Sequence, residues 1–319
     1  PALGLTSVIP DMDPTRPAKA DPRRLHDAIV RFGVDQLFGS PALMAVLARH
    51  GQPLPTLRRV TSAGAPVPSD TVAALRALLP EDALFWTPYG ATECLPVAVV
   101  EGAELQATRA ATEAGAGTCV GRPVPPNEVR IIAINDDAIA EWHEARELGV
   151  GEVGEITVAG PTATDTYFNR DAQTRQAKIG EGERIVHRMG DVGYFDADGR
   201  LWFCGRKSHR VEAVDGPLYT EQVEPVFNVH PQVRRTALVG VGTPGTQYPV
   251  LCVELTEGVP AREWPRIERE LRELGARHPH TARITRFLRH KRFPVDIRHN
   301  AKIGREKLTL WAAQQGVTA

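Results

Sequence analysis

HRMGDVGYFDADGRLWFCGR, residues 187–206, holds two apolar runs around a polar turn. Val186 to Phe195 and Leu201 to Cys204 read as strands, and Asp196-Ala197-Asp198-Gly199 reads as the tight turn between them. Two charged residues punctuate the stretch. Asp191 follows Met189-Gly190 and is placed to accept both hydroxyls of a ribose; taken singly, a turn-capping aspartate is the plainer reading. Arg206 closes Phe203-Cys204-Gly205, where a guanidinium either pairs with a surface carboxylate or holds a ribose or phosphate through two parallel bonds.

Upstream of this stretch, Glu128 to Ile134 and Glu152 to Ala159 also read as strands, so a small antiparallel β unit is expected from about Val120. Before Val120 helix and strand signals alternate. Asp21-Pro22 opens a helix over Leu25 to Phe32 that stops at Gly33, and Val34 to Phe38 reads as a strand. Pro41 opens a helix to about Arg49, and Arg58 to Ser62 reads as a strand. Ser69 is expected to cap a helix running to Leu79, and Ala83 to Trp86 is a strand entering the loop TPYGATE, Thr87 to Glu93. Such alternation predicts a parallel α/β sheet.

TPYGATE is the second informative stretch. Gly90 lets backbone come close to a ligand, an exposed Tyr89 offers a ring for a base, and Thr92 offers a hydroxyl for a phosphate. Glu93 supplies the hard oxygen that Mg²⁺ takes alongside substrate phosphates.

Downstream of Arg206 the pattern changes again. A helix near Gln222 to Val229, strands near Thr236 to Val241 and Val250 to Leu255, and a helix near Trp264 to Arg277 predict a compact α+β domain. Lys207-Ser208 is the expected hinge, dividing the chain into residues 1–206 and 207–319. In PVDIRHNAKIGREKL, Lys302 follows the polar turn Arg298-His299-Asn300 and precedes a helix. A lysine there is ordinarily solvated; the functional reading is a mobile cation brought to a developing phosphate charge.

With 38 basic and 39 acidic residues the chain is nearly neutral, which argues against a nucleic-acid or polybasic membrane partner. Cys94, Cys119, Cys204 and Cys252 are isolated in sequence, so neither structural zinc nor a disulfide framework is expected, and a cytoplasmic setting is. No apolar run is long enough to span a bilayer, and PALGLTSVIP is no signal peptide but resembles mid-domain sequence.

Taken in order, these stretches resemble the adenylate-forming superfamily of acyl-CoA synthetases, peptide-synthetase adenylation domains and luciferases. TSAGAPVP (61–68) resembles its adenine-side loop, TPYGATE its YGxTE motif, and GEVGEITVAG (151–160) a strand pair of its small β unit. Residues 187–206 resemble the block ending its large domain, and Lys302 falls on its lysine motif. The resemblance implies the C-terminal part of a large AMP-binding α/β domain followed by a mobile α+β lid, with ATP, AMP and Mg²⁺ as cofactors. It implies Gly64, Ala65 and Pro66 along adenine, and Tyr89 stacked on it beside Gly90. It further implies Thr92 at the α-phosphate, Glu93 at Mg²⁺, Asp191 and Arg206 on the ribose, and Lys302 bridging carboxylate and α-phosphate. The family's Ser/Thr/Gly-rich phosphate loop is not found in these residues, so activity is expected to require an upstream region.

The departures from the family pattern select a branch. Ser208 stands where relatives often carry Asp or Lys. Asp215 stands where thioester-forming relatives keep a glycine, with Gly216 one residue late, which argues against CoA as acceptor. The HNAKI ending and the two motif blocks resemble the β-lactone synthetases of bacterial olefin biosynthesis. That branch implies a 2-alkyl-3-hydroxyalkanoic acid, whose own hydroxyl displaces AMP, and possible assembly with other olefin-forming enzymes. A long-chain fatty-acyl-CoA ligase is the rival reading, and a non-catalytic binding module a third. Phe38, Ser62 and Ala63 are expected in the acyl pocket, with core packing an equal reading for Phe38. His299 and His209 are candidate proton acceptors, although a structural role is the plainer reading of each.

Overall fold

The first helix begins where its cap is: the Arg23 N–H donates to the Asp21 carboxylate at 2.9 Å, Pro22 fits the first turn, and Gly33, at φ +58°, ends the segment. The computed structural model describes residues 4–295 and 303–316, so Lys302 and His299 lie outside the described residues. Helices α1 (Pro22–Arg31), α2 (Pro41–His50) and α3 (Ser69–Arg76) alternate with the parallel strands β1 (Gln36–Gly39), β2 (Arg59–Ser62) and β3 (Leu84–Ala91).

Strand parity decides which residues meet those helices. Leu37, Val60 and Phe85 are register partners, and Val60 and Phe85 are fully buried in a core with Met44 and Leu47. Phe38, Thr61 and Trp86 take the opposite face, where Phe38 is 72% exposed. Core packing for Phe38 is thereby excluded among the described residues.

Three sequence expectations are corrected. TPYGATE is not a loop: β3 runs on to Ala91, turns at Thr92-Glu93 and returns antiparallel as β4 (Cys94–Glu101). Pro88 is tolerated because β2 pairs with β3 only as far as Trp86, so its missing N–H breaks no bond on that side. Ser69 is the first residue of its helix rather than the cap; Pro68 holds the cap position, and the helix ends at Arg76 rather than Leu79. GEVGEITVAG contributes one strand, not a pair.

The antiparallel unit is also continuous with the parallel part rather than separate from it. After α4 (Gly102–Ala107) and α5 (Arg109–Glu113), β5 (Thr118–Pro123) pairs with β4 through Ala98↔Pro123 and Val99↔Arg122. Gly121 makes this junction possible, because a Cβ there would sit 1.9 Å from the Val99 carbonyl oxygen. β6 (Glu128–Ile132), β7 (Gly154–Ala159), α6 (Asp171–Ala177), β8 (Lys178–Glu181), β9 (Arg184–Phe195) and β10 (Leu201–Arg206) follow. The sheet order is β1-β2-β3-β4-β5-β10-β9-β7-β6, with β8 on β9.

Beyond Arg206 a 3-10 turn, Lys207–His209, leads to the hairpin β11 (Val211–Ala213) and β12 (Gly216–Leu218). α7 (Thr220–Asn228), β13 (Val233–Val241), β14 (Tyr248–Leu255), α8 (Trp264–Gly275), α9 (Pro279–Ala282), β15 (Arg286–Arg289) and α10 (Arg305–Gln314) complete the chain. They enclose a core of their own, in which Phe227 meets Phe287 edge-on at 5.6 Å. Thr118 Oγ1 on β5 donates to Glu221 Oε2 on α7 at 2.9 Å, tying the two cores together.

Candidate active site

The β9–β10 register sets Arg206 directly opposite Asp191. Arg206 Nη1 donates to Asp191 Oδ1 at 2.8 Å and to the Met189 carbonyl at 3.2 Å. The other carboxylate oxygen, Oδ2, accepts the Tyr89 hydroxyl at 2.7 Å. Residues 102 positions apart, on β3 and β9, are thus joined although three strands lie between them in the sheet order. Tyr89 is a half-buried ring leaning on Phe203 at 5.8 Å, not the exposed platform expected from the sequence. Burial pushes the Asp191 carboxyl above its usual range, against the pull of Arg206 and Tyr89. Burial and the Asp191 charge hold the Tyr89 phenol well above its usual value, so it stays a donor.

Glu93 stands at the tip of the β3–β4 hairpin, and Thr92 beside it is exposed. The Tyr167 hydroxyl donates to Glu93 Oε1 at 2.8 Å, and the Thr164 N–H donates to the Glu93 carbonyl at 2.8 Å. Burial raises the Glu93 carboxyl, but the Tyr167 bond, its own backbone N–H and the His187 and Arg206 charges outweigh it, leaving the group below its ordinary value. Burial and Glu93 push the Tyr167 phenol up to about 12. Glu93 is therefore an ionised, pre-oriented carboxylate.

A cavity of about 360 Å³ opens beside this pair, lined among others by Glu93, Tyr167, His187, Met189, Arg206 and Lys207. Beneath it lies an ionic cluster that sequence reading did not single out. Arg188 Nη2 pairs with Glu155 Oε2 at 2.6 Å, each side chain only 1% exposed. Arg188 also donates to the Asp137 carbonyl at 2.7 Å and to the Gln176 carbonyl at 3.2 Å. Lys207 Nζ joins Glu155 Oε2 at 3.1 Å and the Asn135 carbonyl at 2.9 Å. The first residue of the expected hinge is thereby fastened to the β6–β7 region, while Ser208 after it is exposed.

His187 was likewise missed; an isolated histidine within a strand gives no sequence signal. It is 2% exposed, and its Nδ1 lies 3.2 Å from the Ala177 carbonyl, which can only accept. Burial and then Lys178, its cross-strand partner, lower its pKa to about 4, against the pull of the Ala177 carbonyl and Glu93. A histidine depressed from 6.5 to about 4 favours the unfolded chain once the latter protonates. Its contribution to stability is whole above pH 6.5 and is lost as pH falls towards 4, up to about 3 kcal/mol. Unfolding followed from pH 7 to pH 4 should therefore show a loss that is smaller by that amount in His187→Phe; equal losses in both proteins would disprove the buried neutral state.

The remaining sequence candidates lie apart from this group. Gly64 (φ +98°), Ala65 and Pro66 form the turn after β2, with open space where a Gly64 Cβ would project. Among the described residues no hydrogen bond joins this turn to Tyr89, Asp191 or Arg206. Ala63 is half-buried, and Ser62 is fully buried on the helix-facing side of β2, where its Oγ has no partner among the described residues. Gly90, extended at φ +158°, allows the hairpin to close: a Cβ there would sit 2.5 Å from the Cys94 carbonyl oxygen. Asp215 sits in the β11–β12 turn, its carbonyl accepting Arg283 Nη1 at 2.7 Å, and Gly216 follows at φ +98°. His209 is half-buried, 3.9 Å from Glu306, and burial followed by Arg305 lowers its pKa. All four cysteines are free and buried, and among the described residues no helix is long and apolar enough to cross a membrane.

Residues 2–168 match the family described as AMP-binding enzyme. The chain is 76% identical over 322 residues to an olefin beta-lactone synthetase of Xanthomonas campestris pv. campestris, covering 99% of this chain and 58% of that protein. It is 71% identical over 320 residues to an olefin beta-lactone synthetase of Stenotrophomonas maltophilia, with the same two coverages. The chain thus spans a little over half the length of these relatives. Among solved structures, an amide bond synthetase from Marinactinospora thermotolerans superposes with a TM-score of 0.73 at 28% identity, over 92% of this chain and 56% of that one. An O-succinylbenzoate coenzyme A synthetase from Bacillus subtilis, in complex with AMP, superposes with a TM-score of 0.69 at 21% identity, over 91% and 53%.

Proposed function

Since this chain belongs to the AMP-binding enzyme family, we propose that it carries the adenine-, ribose- and lid-side part of an ATP-dependent β-lactone synthetase. Its substrate would be a 2-alkyl-3-hydroxyalkanoic acid. The 76% identity to an olefin beta-lactone synthetase carries the choice of reaction. The Tyr89–Asp191–Arg206 group supports the nucleotide half of it.

In the proposed sequence a substrate carboxylate oxygen attacks the α-phosphorus of ATP and diphosphate leaves. The 3-hydroxyl oxygen then attacks the acyl carbon, and AMP leaves with the electron pair of the acyl–oxygen bond. No second substrate is needed, because an oriented internal nucleophile reaches an effective molarity on the order of 10⁵ M or more. Asp191 and Arg206 would hold the ribose, Tyr89 the adenine, Thr92 the α-phosphate, and Gly64 to Pro66 the adenine edge. Glu93 fits a hard cation, being ionised, half-buried and fixed through one oxygen by Tyr167. Mg²⁺ held there would neutralise phosphate charge. Lys302 would bring its cation to the reacting carboxylate and phosphate. Residues 207–319 would act as a lid turning about Ser208, beyond the fastened Lys207. Assembly with other olefin-forming enzymes belongs to the same reading.

The test is incubation of the natural polypeptide with ATP, Mg²⁺ and the hydroxy acid in the absence of CoA. Lactone and AMP in equal amounts are expected. Acyl-adenylate that turns over only on addition of CoA would instead identify a long-chain fatty-acyl-CoA ligase, and no adenylate at all would leave a binding module.

A further inference from the structure

We propose that His187 accepts the hydrogen bond of the substrate's 3-hydroxyl and takes its proton as the lactone closes, an assignment that rests on the reading above. Nδ1 faces the Ala177 carbonyl at 3.2 Å and must donate to it, so the neutral ring carries its lone pair on Nε2. Among the described residues no donor reaches Nε2, although the side chain is almost wholly buried and lines the cavity beside Glu93. A ligand hydroxyl in the cavity can donate to this lone pair.

The other ionisable groups around the cavity are already engaged. Glu93 is held by Tyr167, Glu155 by Arg188 and Lys207, Asp136 by Arg210, and Arg206 by Asp191. Gln176 is exposed to solvent. His187, the Tyr167 hydroxyl and the Gln176 amide are the neutral acceptors among the described side chains of the cavity wall, and the imidazole is the most basic of the three. An alcohol can donate to it without bringing a charge of its own.

The step balances simply. The hydroxyl oxygen forms its bond to the acyl carbon, the acyl–oxygen bond breaks with its electron pair passing to AMP, and the hydroxyl proton passes to Nε2. Burial and the neighbouring Lys178 disfavour the resulting imidazolium, so the proton is soon given up to solvent and the base is regenerated.

Two measurements on the natural polypeptide test this. In the first, His187→Phe and His187→Gln are assayed for ATP–diphosphate exchange and for lactone release. Exchange within about 3-fold of wild type, with lactone release lowered about 100-fold or more in His187→Phe and acyl-adenylate accumulating, is expected. Lactone release within about 3-fold of wild type in both variants would overturn the assignment. In the second, ¹⁵N-histidine spectra of the wild type are compared with two sulfamoyl-adenosine analogues, one carrying the 3-hydroxyl and one lacking it. The Nε2 resonance should move upfield with the hydroxylated analogue alone; equal shifts with both would overturn the assignment even if the variants do not fold. Wild type that releases no lactone at all defeats the proposed function instead, which separates the two failures.

Discussion

Asp191→Ala is expected to weaken AMP binding by about 100-fold or more. The carboxylate accepts from Tyr89 at 2.7 Å and from Arg206 at 2.8 Å, and its side chain is 8% exposed. Removing it takes away the proposed ribose acceptor and leaves a phenol and a guanidinium without their partner. A hydrogen bond to a charged group contributes about 1.5–3 kcal/mol, and two such bonds together exceed the 100-fold mark. Tyr89 would lose its anchor as well, so the ring proposed to meet adenine would no longer be held. Asp191→Asn should fall between, because an amide still accepts from Tyr89 but no longer balances the Arg206 charge. Calorimetric titration with AMP, with circular dichroism to verify folding, measures this. Affinity within about 5-fold of wild type in Asp191→Ala would remove Asp191 from the site.

Glu155→Ala is expected to cost about 3–5 kcal/mol of folding stability, the usual penalty for leaving a buried charge uncompensated. Arg188 is as buried as Glu155, and Lys207 depends on the same oxygen. The cluster fastens the residue before the proposed pivot to β7 and β9, so the loss should also loosen the start of the lid. The double variant Glu155→Leu with Arg188→Met should recover part of the stability, because it removes the buried Arg188 charge together with its partner and leaves Lys207 on the Asn135 carbonyl alone. Urea unfolding of the three proteins measures both effects. A loss below about 1 kcal/mol in Glu155→Ala would mean that the carbonyls of Asp137 and Gln176, together with that of Asn135, to which Arg188 Nη2 also donates, suffice for Arg188.

The parallel part of the fold was legible because Asp21, Pro41 and Gly33 punctuate an alternation that local physics enforces. The β4–β5 junction was not. Its geometry depends on Gly121 meeting the Val99 backbone, a close approach that no sequence window contains. TPYGATE was misjudged as a loop because Pro88 and Gly90 are strand breakers in isolation; they are tolerated here because one side of β3 is unpaired beyond Trp86. Asp191, Arg206 and Tyr89 were each visible as candidates, but the exposed tyrosine was wrong, since its hydroxyl is held by Asp191. Tyr167, Glu155 and His187 escaped because their meaning lies in partners between 10 and 74 positions away, and Lys207 was legible as a hinge residue but not as the partner of Glu155. Lys302, the most specific sequence candidate for catalysis, lies outside the described residues.

In the proposed reaction the acid is adenylated and its own hydroxyl then expels AMP. The direct measurement is mass spectrometry of the products from a 2-alkyl-3-hydroxy acid labelled with ¹⁸O at both carboxylate oxygens, in the absence of CoA. One ¹⁸O is expected in AMP, and one in the lactone carbonyl beside an unlabelled ring oxygen. Unlabelled AMP, or a lactone that keeps both heavy oxygens, would contradict the proposed reaction.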